Sequence, residues 1–147
     1  DPALEARAVE HLTRLADDLG HVGVITLELF VVGDALLANE FAPRVHNSGH
    51  WTIEGAATSQ FEDHVRAVCG LPLGDTGATT AAAMVNCIGR VPDPVAVAGV
   101  EGAVLHDYGK APRRGRKVAH ITVTAPDRAA LEARIAAIRA LPPGDDG

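Results

Sequence analysis

The stretch VGVITLELFVVGDALLANEF, residues 22–41, decides the fold of the first half of the chain. Residues 22–32 are dominated by β-branched and large apolar side chains, a composition that predicts a strand. Gly33 and Asp34 predict a tight turn into a second strand over residues 36–41, so the stretch should form an antiparallel hairpin. Both faces of the first strand are largely apolar, and we therefore expect it to be covered on both sides.

Two acids in this hairpin, Glu28 and Glu40, are the first candidates for chemistry. If the connecting loop comprises residues 33–35, the acids lie directly opposite each other with their Cβ atoms ~5 Å apart. A covered strand would also keep Glu28 largely away from bulk water. Carboxylates this close repel each other unless a proton or a cation lies between them, and Mg²⁺ suits such a pair of hard oxygen ligands. Two alternatives stay open: a register slipped by one residue would separate the acids, and either acid could simply be solvated.

A loop rich in polar groups follows the hairpin at residues 42–57. Arg44 could neutralise the negative charge that develops during phosphoryl transfer. His46 and Asn47 add directional hydrogen-bonding groups, and Gly49 permits close backbone approach. The alternative is a structural loop whose polar groups satisfy each other and the neighbouring backbone.

The rest of the sequence predicts an α+β arrangement. Asp1 should cap a first helix that Gly20 ends. Further predicted elements are a helix over residues 60–68, a strand over 80–88, a helix over 95–100, strands over 103–106 and 118–124, and a last helix capped by Asp127 with Leu131, Ile135 and Ile138 facing the core. Pro142-Pro143 should stop that helix before a disordered acidic tail. A Gly- and Pro-rich connector before residue 80 predicts two domains, residues 1–79 and 80–147.

The composition excludes several classes of protein. The net charge of −6 argues against a general role on nucleic acid or on a membrane surface. No apolar run approaches the ~20 residues that a membrane helix needs. Cys69 and Cys87 belong to no metal-binding motif, and we expect both to be buried thiols in a reducing compartment. The chain opens at Asp1 directly in a helical pattern, so we expect it to be part of a larger protein.

A basic loop in the second half stands out from this acidic background. It holds five cationic residues and no acid: Lys110, Arg113, Arg114, Arg116 and Lys117. Gly109 and Gly115 flank most of it, which favours an ordered turn that presents charge to a compact anion. A phosphate clamp and a merely solvated loop both remain open. The isolated histidines at positions 11, 21, 64, 106 and 120 receive no functional assignment.

Four segments together carry a resemblance to a known family: ELF (28–30), NEFAPR (39–44), HNSGHWT (46–52), and YGK (108–110) with Arg113 and GRK (115–117). They resemble segments of the N5-carboxyaminoimidazole ribonucleotide synthases, ATP-grasp ligases of purine biosynthesis. The resemblance runs in order over nearly the whole chain. It implies an α+β fold in which part of an ATP-grasp lobe, an antiparallel hairpin plus helices, precedes a small β-rich C-terminal domain. Many ATP-grasp relatives have Asn where Ala42 stands here, a difference that disfavours the peptide-forming ligases.

The resemblance also implies a reaction and its cofactors. ATP would phosphorylate bicarbonate to carboxyphosphate, and the exocyclic amine of 5-aminoimidazole ribonucleotide would then be carboxylated, releasing phosphate. By this resemblance Glu28 and Glu40 would hold Mg²⁺ against the ATP phosphates. Asn39, together with Glu40, would lie at the nucleotide site.

The resemblance implies further roles for residues of both loops. Arg44 would steady the transferred phosphoryl group or carboxyphosphate. His46 and Asn47 would line the space between carboxyphosphate and the amine. Lys110 and Arg116 would bind the 5′-phosphate of the ribonucleotide.

Several parts of an ATP-grasp enzyme are not recognisable in this sequence, namely a glycine-rich phosphate flap, the strand lysines before it and an N-terminal nucleotide-fold domain. We therefore expect the chain to be inactive alone and to need the N-terminal region as a partner. We also expect a cytoplasmic enzyme and a homodimer. The alternatives are another purine-branch ATP-grasp enzyme, such as a formate-dependent transformylase, and a non-catalytic dimerisation module in which residues 80–141 contact a second copy.

Overall fold

The computed structural model describes residues 1–142, so the predicted acidic tail lies outside the described residues. It confirms the α+β class. The helices are α1 (Pro2–Leu19), α2 (Thr52–Gly55), α3 (Gln60–Val68), α4 (Pro94–Ala98) and α5 (Arg128–Arg139), and the strands are β1 (Thr26–Val32), β2 (Ala35–Ala42), β3 (Ala81–Ile88), β4 (Ala103–Asp107) and β5 (Lys117–Ala125). A short 3₁₀ helix spans Asn47–Gly49.

The chain divides into two compact units. The first unit comprises Asp1–Gly49 and Thr58–Asp75, and the second comprises His50–Ala57 and the residues from Thr76 onward. The segment His50–Ala57 thus groups with the later part of the chain although it precedes α3. The division into domains at residues 79 and 80 stays a prediction.

The first helix begins and ends as its sequence predicts. The Asp1 carboxylate accepts a hydrogen bond from the backbone N–H of Ala3 at 2.8 Å, which satisfies one of the free donors of the first turn. Gly20 follows α1 with φ 55°, a left-handed conformation that glycine adopts without steric cost.

The hairpin has the predicted pairing but not the predicted loop. β1 and β2 are antiparallel, and Glu28 lies across from Glu40. The expectation of a three-residue loop is wrong, because Val32 pairs with Ala35 and only residues 33–34 connect the strands.

A β-bulge reconciles the short loop with the pairing of the acids. In an unbroken ladder the two-residue loop would place Glu28 opposite Asn39. The register shifts by one residue between Glu28 and Leu29. Asn39 is the extra residue on β2, and Glu40 therefore takes the position across from Glu28.

The hairpin is not covered on both sides, contrary to the sequence prediction. Phe30, Val31 and Val32 are 58%, 60% and 57% exposed. Ala42 is the buried residue of β2. The pattern of apolar residues along a strand shows which faces favour burial. It does not show whether another segment of this chain packs against those faces.

The first strand also begins later than predicted, at Thr26 rather than at residue 22. The backbone around Val24 bonds to side chains instead of a neighbouring strand: its carbonyl contacts Nε2 of His21 at 3.1 Å and its N–H donates to Nδ1 of His64 at 3.0 Å. Gly23 has φ 119°, and a Cβ there would lie 2.6 Å from Nδ1 of His64. These side-chain contacts explain why the chain enters the sheet only afterwards.

The second unit contains a three-stranded antiparallel sheet in the order β3-β5-β4. The central strand β5 is buried over nearly its whole length, whereas the predicted buried strand β3 is only half-buried. The core cluster consists of Val97 from α4, Ile121 and Val123 from β5, and Ile138 from α5. Leu131 packs against this cluster as predicted.

Two further expectations from the sequence are wrong. Residues 42–57 are not a continuous loop, because they contain the 3₁₀ helix and α2. Neither cysteine is fully buried, since Cys69 is exposed and Cys87 is half-buried; both are free thiols. Cys69 lies at the C-terminal cap of α3, where the last turn faces solvent.

Gly102 provides a stability test of the second unit. It has φ 73°, and a Cβ there would collide with the carbonyl oxygen of Thr124 and lie 2.8 Å from Nη1 of Arg134. Left-handed strain and overpacking together predict that Gly102→Ala lowers the free energy of unfolding by about 3 kcal/mol. Gly115→Ala is the matched control, since Gly115 has φ 76° but no atom within 4 Å of the added Cβ. Urea unfolding of both variants measures the difference, and equal losses would contradict the packing argument.

Candidate functional site

The acid pair lies on the hairpin of the first unit and is held partly by Asn39. Glu28 and Glu40 are cross-strand neighbours, and their side chains are 40% and 60% exposed. Nδ2 of Asn39 donates to Oε2 of Glu28 at 3.2 Å. The bulged residue therefore both sets the register and orients one carboxylate. The expectation that Glu28 is kept away from bulk water is wrong for this chain.

His46 completes a three-residue cluster with the two acids. Its Nε2 atom lies 3.5 Å from Oε1 of Glu28 and 3.5 Å from Oε1 of Glu40. One ligand atom from each of the three residues can be chosen so that all lie within 4.8 Å of one another. His46 itself is 8% exposed, so the cluster has a buried histidine on one side and solvated carboxylates on the other.

The hydrogen bonds of His46 define which ring nitrogen carries the proton. The backbone N–H of Ser48 donates to Nδ1 at 3.3 Å, and the Ser48 hydroxyl lies 2.9 Å from the same atom. Because Nδ1 accepts from a backbone donor, the proton of the neutral ring resides on Nε2. Nε2 then presents an N–H to the two carboxylates.

Gln60 fixes the backbone of His46 from the start of α3. The N–H of His46 donates to Oε1 of Gln60 at 3.0 Å, and Nε2 of Gln60 donates to the His46 carbonyl at 2.7 Å. Gly49 allows this approach, because a Cβ there would lie 2.5 Å from Oε1 of Gln60. Gln60 is not among the residues predicted from the sequence. At the first position of a helix after a Ser cap, nothing local distinguishes it from a solvated residue.

The cluster fits a divalent cation of the hard, oxygen-preferring kind. Glu28 and Glu40 bring carboxylate oxygens of opposite strands together, and one side of the pair is open to solvent. Mg²⁺ binds through one or two carboxylates and completes its shell with water and phosphate oxygens. His46, with its proton on Nε2, suits hydrogen bonding to the carboxylates better than metal ligation.

Arg44 and Asn47 lie on the same loop as His46 but do not join the cluster by direct contacts described in the structure. The Arg44 guanidinium donates to the carbonyl of Val45 at 3.0 Å and is exposed. Oδ1 of Asn47 is buried and has no hydrogen-bond partner among the described residues. A buried acceptor without a donor is costly, and such an atom is a candidate for a ligand contact.

The basic loop belongs to the second unit and is ordered by its backbone. The Arg116 N–H donates to the Arg113 carbonyl at 2.9 Å, and the Gly89 N–H donates to the Arg116 carbonyl at 2.7 Å. The side chains of Lys110 and Arg116 are exposed. Nζ of Lys110 lies 5.0 Å from the centroid of the Tyr108 ring, within the range of a cation–π contact.

A buried cluster centred on His120 in the second unit was not predicted from the sequence. His120 is 2% exposed, and its Nδ1 lies 2.7 Å from the Tyr108 hydroxyl. The His106 ring stacks on it, with centroids 4.4 Å apart and an angle of 13° between the planes. Nε2 of His106 in turn contacts Oε1 of Glu54 at 2.7 Å. Strand alternation identifies inward positions, but it does not reveal that partners from distant segments meet there.

The His120 cluster predicts a dependence of stability on pH. Burial, followed by the positive charges of His106, His50 and Lys117, lowers the pKa of His120 from 6.5 to about 4. The unfolded chain therefore binds a proton at this residue before the folded chain does. Stability should be full above pH 6.5 and fall as the pH drops toward 4, by up to about 3 kcal/mol.

Urea unfolding at several pH values between 4 and 7 tests this dependence. The His120→Gln variant should lose stability at neutral pH, yet its free energy of unfolding should vary less over the same interval. Parallel pH curves for the two proteins would contradict the assignment of the acid-labile contribution to His120.

Comparisons with known proteins give the chain its class. Residues 1–61 match the family model of the ATP-grasp domain. Residues 82–134 match the model of the phosphoribosylaminoimidazole carboxylase C-terminal domain. The first of these matches places the chain in the ATP-grasp family, which the resemblance of its four sequence segments also implied.

Individual relatives narrow the class. The chain is 54% identical over 138 residues to N5-carboxyaminoimidazole ribonucleotide synthase of Pseudomonas aeruginosa, an alignment that covers 94% of the chain and 38% of that protein. It is 54% identical over 124 residues to the enzyme of the same name from Vibrio cholerae, covering 84% of the chain and 33% of that protein. The chain belongs to the N5-carboxyaminoimidazole ribonucleotide synthase family and corresponds to its C-terminal portion.

Solved structures agree with this placement. The N5-carboxyaminoimidazole ribonucleotide synthetase of Thermus thermophilus matches with a TM-score of 0.88 and 55% identity, over 96% of this chain and 39% of that one. The Aspergillus clavatus enzyme, solved in complex with ADP and 5-aminoimidazole ribonucleotide, matches with a TM-score of 0.70 and 39% identity, over 80% and 34% of the two chains. The resemblance drawn from the sequence is confirmed. The chain spans between a third and two fifths of the length of these relatives.

No helix among residues 1–142 is both long enough and apolar enough to cross a membrane.

Proposed function

We propose that the protein catalyses the ATP- and bicarbonate-dependent carboxylation of 5-aminoimidazole ribonucleotide to N5-carboxyaminoimidazole ribonucleotide, and that this chain supplies part of the site. The observation that carries the proposal is the convergence of Glu28, Glu40 and His46, whose ligand atoms lie within 4.8 Å of one another. The names of the relatives support this reaction over that of a formate-dependent transformylase.

The acid pair would hold the metal that accompanies the nucleotide. The chemistry that Mg²⁺ would supply there, when bound, is neutralisation of negative charge on the ATP phosphates. Glu28 and Glu40 would supply carboxylate ligands from opposite strands. Asn39 would keep Glu28 oriented beside the nucleotide through its 3.2 Å hydrogen bond. His46 would limit the repulsion between the carboxylates by donating from Nε2.

The loop that carries Arg44, His46 and Asn47 would serve the bicarbonate half of the reaction. The Arg44 guanidinium is exposed and its charge suits the transferred phosphoryl group or carboxyphosphate. Asn47 has a buried acceptor, Oδ1, that lacks a donor among the described residues, and the exocyclic amine of the ribonucleotide would supply that donor. His46 is fixed by Gln60 at its backbone, so its ring is pre-organised before any ligand binds.

The basic loop would bind the phosphate of the ribonucleotide. Lys110 and Arg116 are exposed, and neither forms an ion pair in the described part of the chain. A phosphate monoester carries close to two negative charges at neutral pH and accepts several charge-assisted hydrogen bonds. The backbone bonds of Arg116 hold this loop in place, which lowers the entropic cost of binding.

The experiment that tests the proposal supplies the part of the enzyme that lies outside this chain. The N-terminal portion of the Pseudomonas aeruginosa relative would be co-expressed with the chain, and we call the resulting pair the complemented enzyme. Its release of phosphate from ATP should depend on bicarbonate and should rise when 5-aminoimidazole ribonucleotide is added. Phosphate release that depends instead on formate would favour the transformylase.

We further propose that the enzyme is a homodimer and acts in the cytoplasm. Mass measurements over a range of concentrations test the first of these proposals. If the chain were a non-catalytic dimerisation module, it would dimerise normally but the complemented enzyme would have no turnover.

A further inference from the structure

We infer that Tyr108 and His120 are positioning residues that hold the Lys110 ammonium in place for a phosphate monoester. The inference rests on the proposed function only in its choice of ligand. The contacts that carry it are internal to the second unit.

The first link is the hydrogen bond between His120 and Tyr108. The Tyr108 hydroxyl lies 2.7 Å from Nδ1 of His120, and the two residues come from β5 and from the residue after β4. A phenol hydroxyl both donates and accepts, so the bond forms with either tautomer of the neutral imidazole. It fixes the far end of the Tyr108 ring, whose backbone N–H is already tied to the Val118 carbonyl at 3.0 Å.

His120 is a costly residue in its position, which suggests a role beyond packing. It is 2% exposed, and its Nε2 has no hydrogen-bond partner among the described residues. An unsatisfied buried polar atom costs about 1–3 kcal/mol, and an apolar side chain of similar volume would avoid that cost. The hydrogen bond that this ring does make is to Tyr108.

The second link runs from Tyr108 to Lys110. Gly109 has φ 63° and donates its N–H to Oδ1 of Asp107 at 2.9 Å. This turn brings Lys110 back over the residue two positions earlier, with Nζ 5.0 Å from the centroid of the Tyr108 ring. A lysine side chain otherwise samples many rotamers, so a fixed aromatic face below the ammonium reduces the entropy lost when a phosphate binds.

The chain is well suited to a direct test, because Tyr108 is its single tyrosine and Lys110 and Lys117 are its two lysines. Lysine-labelled samples of the 147-residue chain should give two sets of side-chain NMR signals, with Lys117 as the internal control. The ε-methylene signal of Lys110 should be displaced upfield by the Tyr108 ring current. Tyr108→Leu should abolish the displacement, and Tyr108→Phe should reduce it, because Phe keeps the ring but loses the bond to His120.

A double-mutant comparison tests whether His120 acts through Tyr108. His120→Leu should reduce the Lys110 displacement in the parent protein and have no further effect in the Tyr108→Phe background. A merely structural role would change the Lys110 signal equally in both backgrounds. If His120→Leu fails to fold, the Tyr108→Phe variant alone decides, since it removes one hydroxyl group.

Ribose 5-phosphate is the probe for the binding consequence. Added to the parent chain, it should shift Lys110 and leave Lys117 nearly unchanged. Tyr108→Leu should weaken its affinity by about threefold to fivefold, the range expected for one exposed cation–π contact. If the probe shifts the signals of neither lysine, the phosphate site of the proposed function is wrong. The contact between Tyr108 and Lys110 is tested separately, by the ring-current shift of the Lys110 signal. A Lys110 signal that is identical in the parent, Tyr108→Phe and Tyr108→Leu proteins would overturn the inference.

Discussion

Glu28→Gln is expected to lower the turnover of the complemented enzyme by about 100-fold or more. The substitution keeps the size and hydrogen-bonding oxygen of the side chain but removes one of the two charges that face each other across the hairpin. Without that charge the site would lose a carboxylate ligand for Mg²⁺ and the nucleotide phosphates would lose their neutralising cation. Steady-state phosphate release at saturating ATP measures the effect.

The same substitution should leave the fold intact, which separates a functional loss from a structural one. Like charges directly opposite each other on neighbouring strands are destabilising, so the free energy of unfolding should stay constant or rise slightly. Glu10→Gln on the exposed surface of α1 is the matched control and should keep full activity. Turnover of Glu28→Gln above half that of the parent would contradict the assignment of the acid pair to the metal.

Lys110→Ala and Arg116→Ala should each raise the KM for 5-aminoimidazole ribonucleotide in the complemented enzyme by about 10-fold to 100-fold. A charge-assisted hydrogen bond contributes about 1.5–3 kcal/mol, which corresponds to this range. The KM for ATP should not change, because the basic loop would contact only the ribonucleotide. Initial rates at varied concentrations of each substrate separate the two effects.

Arg114→Ala is the control for the basic loop. Arg114 is exposed on the same loop and has the same charge, but it has no assigned ligand contact. If Arg114→Ala raised the KM as much as Arg116→Ala, the loop would act through its general charge. That result would indicate that the loop attracts the ribonucleotide non-specifically and does not form a defined phosphate site.

The hairpin shows how far the sequence could predict the site. Turn residues and β-branched side chains sufficed to predict two antiparallel strands and the pairing of Glu28 with Glu40. The predicted loop is nevertheless one residue too long, because a bulge at Asn39 produces the same pairing. A bulge residue needs no distinctive local pattern, so its position could not be read from the order of residues alone.

Burial and long-range partners were harder to predict. The apolar faces of β1 favour burial, yet Phe30 is 58% exposed. A pattern of apolar residues does not specify whether another segment packs against that face. Gln60 was missed because its partner His46 lies fourteen residues earlier. His120 was missed for the same reason, since Tyr108 and His106 reach it from a different part of the chain. Each of these contacts depends on tertiary geometry.

The most direct test of the proposed metal site is the paramagnetic broadening of backbone NMR signals when Mn²⁺ binds with ADP to the complemented enzyme. The broadening should be strongest around Glu28, Asn39 and Glu40 and should disappear in the Glu40→Gln variant. Equal broadening in parent and variant, or broadening centred on another acidic segment such as Asp17-Asp18, would contradict it.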